Sequence, residues 1–68
     1  MSEIRDALSA ARVASALLER AILTITTSDE IDSCDQEDML YHLAKNRLHV
    51  DLTADRLHAA IVRAGGAE

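Results

Sequence analysis

The chain has 68 residues and a net charge of -5, with no Pro, Phe or Trp, two Gly and a single Cys. That length gives one domain and leaves no room for separate catalytic and cofactor-binding halves. One cysteine closes no internal disulfide and completes no four-ligand zinc site, and no apolar run exceeds four residues against the roughly 20 that span a bilayer. The expectation is a cytoplasmic protein without a leader or membrane span, its fold held by packing alone.

Little apolar material is available for that packing. Of the 33 hydrophobic residues 12 are Ala, beside nine Leu, five Ile, three Val, two Met, one Tyr and one Cys. Below about 70 to 80 residues, apolar burial barely offsets the ordering entropy of the chain, and oligomerisation is a common remedy. A homodimer is therefore expected. The charge is uneven: residues 1–28 sum to zero and residues 39–68 to +1, so the excess sits in Asp29, Glu30, Asp32, Asp35, Glu37 and Asp38.

Ile4, Leu8, Ala11, Ser15, Leu18, Ile22 and Ile25 alternate steps of four and three residues, which predicts a long helix over about 2–26. Ala7, Ala14 and Ala21, with Ala10 and Leu17 between them, give one flank small side chains that a second helix could approach closely. Ser2 is the expected cap, with Glu3 and Asp6 favoured by the positive end of the dipole. Ile22 to Thr27 is β-branched at five of six positions, so fraying is expected near Thr24–Thr27.

An acidic turn over 27–33 follows. Two capping boxes compete to start the next helix, Thr27–Glu30 and Ser33–Gln36, and Ser33 is favoured because Met39, Leu40, Leu43, Ala44 and Leu48 then form a stripe. This predicts a second helix over about 34–47 and a turn over 48–53. Thr53 as N-cap, with Leu52 stapled on Leu57, predicts a third helix over about 54–64. It carries Leu57, Ala60 and Ile61 on one face, and Gly65-Gly66 stops it. The fold class is all-α: a hairpin of one long helix and two shorter ones, completed as a dimeric helical bundle. Expected core and dimer-interface residues are Ile4, Leu8, Ala11, Ala14, Leu18, Ile22, Ile25, Leu40, Leu43, Leu57 and Ile61.

Chemistry is sparse. Cys34, Asp38 and His42 at i, i+4 and i+8 share a helical face, but three groups without a His-x-x-x-His or Cys-x-x-Cys pair are weak metal ligands. The acidic run lacks the alternate spacing, central Gly and closing Glu of a calcium loop. Nothing supplies an oxyanion hole beside a nucleophile, so no catalytic, cofactor or metal residue is assigned and no enzyme activity is expected. Glu37 to Arg63 has helix-turn-helix form. Seven basic side chains against twelve acids nevertheless disfavour nucleic acid, leaving a DNA-binding regulator as a lesser alternative.

What remains is protein interaction. Tyr41, the sole aromatic residue, is either an exposed anchor or packed on the turn. Asp29, Glu30, Asp32 and Asp38 offer an acidic docking surface, and Arg12 and Arg20 a second one on the outer face of the first helix. The first helix's seam also looks too long for the rest of the chain to cover. In size, acidity, hairpin architecture and independence of other domains the chain resembles the small helical proteins that phages and mobile elements encode to inhibit host regulators. The resemblance implies a steric module in the host cytoplasm that blocks a transcription activator, a motor ATPase or a defence complex. An assembly subunit or chaperone is the alternative.

Overall fold

The computed structural model describes residues 3–65, where the chain forms two α-helices joined by a short turn. Helix α1 runs Glu3–Thr27 and helix α2 runs Ser33–Arg63. They pack antiparallel as a hairpin of 49 × 16 × 14 Å. At about 1.5 Å per residue α2 alone is about 46 Å long, so it sets the long axis. The all-helical hairpin is as expected; the expected Ser2 cap and Gly66 lie outside the described residues.

The seam of α1 packs as its spacing requires. Leu8 is buried at 2% exposure, and Ala11, Ser15, Leu18, Ile22 and Ile25 are half-buried at the same alternating steps. Ile4, nearest the open end, stays exposed. The fraying expected near Thr24 is absent. Thr24, Thr26 and Thr27 donate their hydroxyls to the carbonyls of Arg20, Ile22 and Leu23 at 2.9, 2.7 and 3.0 Å. The last carbonyls, which no helical N–H can reach, are met from across the turn. Gln36 Nε2 donates to Ile25 O at 2.6 Å and to Thr26 O at 3.3 Å.

That use of Gln36 corrects the expected capping box at Ser33. Asp32 caps α2 one residue earlier, its carboxylate accepting from Cys34 N at 3.3 Å, and Gln36 is engaged with α1 instead of its own helix start.

The larger correction is that the turn at 48–53 does not exist. What was expected as two helices, 34–47 and 54–64, is one helix of 31 residues. Thr53 caps nothing; its hydroxyl donates to His49 O at 2.9 Å inside the helix, and Leu52 is exposed instead of stapled on Leu57. Gln36, Leu40, Leu43, Arg47, Val50, Ala54, Leu57 and Ile61 are the positions turned to α1, in unbroken steps of four and three. Of the expected stripe Leu40 and Leu43 are half-buried on this seam, while Met39, Ala44 and Leu48 are exposed. Two of the true seam positions are polar, so apolar counting lost the thread at Arg47. Continuous α2 also spans the whole of α1, so the seam once thought too long is covered within the chain. The helix ends with Ala64 and with Gly65 at φ 82°, whose N–H donates to Val62 O at 3.0 Å.

Midway along the seam the helices are joined by polar groups. Ser15 Oγ donates to Asp51 Oδ1 at 2.6 Å, and Arg47 Nη2 donates to Glu19 Oε2 at 3.1 Å. Arg47 Nε lies 4.0 Å from Asp51 Oδ2 and, though buried, makes no hydrogen bond. These cross-links fix the register: residue 15 sits level with 51 and residue 19 with 47.

Candidate interaction surfaces

A two-helix hairpin has no third layer to cover its outer sides. Among the described residues only Leu8 and Ile61 are fully buried hydrophobics, and nine large apolar side chains stand exposed. The described residues hold no group of three His, Cys, Asp or Glu side chains placed for a metal, and no helix long and apolar enough to cross a membrane. Asp38 and His42 do meet, Oδ1 to Nε2 at 3.4 Å on an open surface, while Cys34 is exposed without joining them in such a group.

Helical spacing sorts the exposed residues onto two flanks, one either side of the plane of the hairpin. The first carries Ala7, Ala10, Ala14, Leu17 and Ala21 of α1 beside Met39, His42, Asn46, His49, Thr53 and Arg56 of α2. Its centre is a shallow groove of about 380 Å³ lined by Ala10, Ala11, Ala14, His49, Val50 and Thr53. Between Ala7 and Ala21 the flank holds no Asp or Glu, and its one base is Arg56, a heptad beyond His49 and level with Ala10. The small-residue side noted in the sequence is thus real, but α2 packs beside it and leaves it open.

The second flank is charged. It bears Arg5, Arg12 and Glu19 of α1, and Glu37, Asp51 and Asp55 of α2 around the exposed Tyr41, Leu48 and Leu52. Tyr41 is 63% exposed, which decides the choice left open by the sequence. Its ring meets His42 edge-on, centroids 5.4 Å apart at 77°, and Lys45 Nζ lies 5.9 Å from the ring centre. These contacts limit the ring's rotamers before any partner arrives, which lowers the entropy lost on docking.

The other expected partner-binding residues are only partly gathered. Asp29, Glu30 and Asp32 are exposed on the turn, where Glu30 N donates to Ser28 Oγ at 3.2 Å and the Asp32 carboxylate serves as the α2 cap. Asp38 is one turn from Tyr41 at the same end of the hairpin. Arg12 is not: the register puts Tyr41 level with residue 25, about 20 Å along α1. Arg20 is exposed on the outer side of α1. Sequence reasoning missed the polar layer of Ser15, Glu19, Arg47 and Asp51. Stepping back by fours and threes from Ile61 and Leu57 would have brought Arg47 onto the seam.

The chain matches no protein-family model, no curated protein and no solved structure. Its chemistry has to be read from its own surfaces.

Proposed function

We propose that this protein is an interaction module that acts by occupying a surface of another protein. One observation carries the proposal: among the described residues two hydrophobics are buried and nine large ones are exposed, and Tyr41, Leu48 and Leu52 share one charged flank. Apolar side chains rimmed by charge are the makings of an interface, with an aromatic anchor at its centre. By the resemblance noted above, the target is a host regulator, motor ATPase or defence complex in the cytoplasm, blocked sterically. A DNA-binding role loses its geometric basis, since a helix-turn-helix needs the turn that α2 lacks.

The test is co-purification of the tagged chain from its native cells, alongside Tyr41→Ala. A stoichiometric protein partner held by the wild type and lost by the variant, with helicity unchanged, is the expected result. Equal retention by both would remove Tyr41 from the interface. Retention of nucleic acid in place of protein would overturn the module role itself.

A further inference from the structure

The two flanks differ in what they can bind, and the alanine-rich one, with few charges, suits a partner with the same surface. We propose that the flank centred on Ala10, Ala14, His49 and Thr53 takes a second copy of this chain, two hairpins closing into a four-helix bundle around a two-fold axis near Ala14.

Three observations support a second copy as occupant. The first is area. The chain exposes 5207 Å², about 1,000 Å² more than the roughly 4,200 Å² typical of a compact monomer of 7.4 kDa. A standard stable interface hides about 800 Å² per partner, so the surplus is what one dimer contact removes. The radius of gyration agrees: 15.4 Å against about 11 Å for a compact chain of this length.

The second is charge. Around a two-fold axis each group meets its own copy or a near neighbour's, so a charged side chain near the centre would face its like. At these helical positions between Ala7 and Ala21 the flank carries no acid and one base, Arg56, which is level with Ala10 and so about 6 Å along the helix from an axis near Ala14. The opposite flank, with Arg5, Arg12, Glu19, Asp51 and Asp55, fails that condition and stays free for a different protein.

The third is shape. Leu17 stands out from this flank at 58% exposure, while one and two turns toward the N-terminus Ala14 and Ala10 open the groove against Thr53. A knob and a hole a few residues apart on one helix are self-complementary under antiparallel two-fold pairing. Leu17 of each copy enters the groove of the other, and the alanines let the two α1 helices approach to about 8 Å.

This pairing stands independently of the interaction-module role, because mass alone reads it. Sedimentation equilibrium of Leu17→Glu and of Thr53→Arg, both at exposed positions, is expected to give the single-chain mass of 7.4 kDa, against twice that for the wild type. Leu48→Glu, on the charged flank, is expected to keep the doubled mass. In an equimolar mixture of Leu17→Glu and Thr53→Arg, one contact becomes Glu against Arg and the other keeps Leu17 against Thr53. The doubled mass is therefore expected to return. Circular dichroism establishes that each variant remains helical; should one unfold alone, the other still reads the flank. A monomeric wild type, a doubled mass retained by both single variants, or a mixture that stays at 7.4 kDa would each overturn the pairing.

Discussion

The open end of the hairpin and its middle hold the same two helices together by different physics. At the open end Leu8 of α1 and Ile61 of α2 are the two most buried side chains among the described residues, at 2% and 4% exposure, and packing there is apolar. In the middle Ser15, Glu19, Arg47 and Asp51 meet through directional bonds, with the side chains of Glu19, Arg47 and Asp51 all more than a third exposed. Apolar burial is proportional to area and indifferent to register, whereas a hydroxyl placed 2.6 Å from one carboxylate oxygen fails if either helix slides by a turn. The open end supplies stability and the middle supplies register.

The largest effect is expected from breaking the apolar end. Leu8→Ala removes the most buried side chain and leaves a cavity, and should cost about 2 to 5 kcal/mol of unfolding free energy, measured by urea denaturation. A loss below about 1 kcal/mol would mean that the end is not closed.

Asp51→Ala tests the middle. It strands the Ser15 hydroxyl and removes the 4.0 Å ion pair with Arg47, but solvent screens this half-exposed layer, so about 1 kcal/mol is the expected loss. Arg47→Leu sharpens the contrast. Replacing a seam charge by an apolar side chain of similar length should leave the thermal midpoint level or raise it, because desolvation of Arg47 offsets its pairing with Glu19. What should be lost is uniqueness: the variant is expected to show a spread of masses in light scattering, and one sharp mass would show that Arg47 does not set the register.

The smallest effect belongs to the turn. Gln36→Ala should cost about 0.5 to 1 kcal/mol, and the loss should be local, seen as faster amide exchange in Ile25 to Ser28 with the open end unchanged.

The same contrast explains how much was legible in the sequence. Helix α1 was readable almost to its ends because its seam from Ile4 to Ile25 is apolar or small throughout. Helix α2 was not, because its seam carries Gln36 and Arg47, whose roles are set by partners on α1 that no local pattern reveals. With Arg47 counted as polar, the stripe kept Leu40 and Leu43 but drifted onto Met39, Ala44 and Leu48, and Thr53 offered a sound local capping signal at the point where the pattern lapsed. Tertiary pairing overrode it: Val50 and Ala54 continue the seam, and the Thr53 hydroxyl turns back to His49 O. The site was legible in part for the same reason. Tyr41 stood out as the one aromatic residue, and the alanines of α1 were visible as a small flank. That this flank stays open follows only from where α2 lies.

The most direct test is the molar mass of the unmodified chain by light scattering over about a hundredfold range of concentration, where mass action exposes any weak association. A constant value near twice 7.4 kDa is the expected result: the alanine-rich flank is then satisfied by a second copy, and Tyr41, Leu48 and Leu52 are left to a different protein. A value of 7.4 kDa throughout would contradict the account, because both flanks would then stand uncovered on a hairpin with only two fully buried hydrophobics among its described residues.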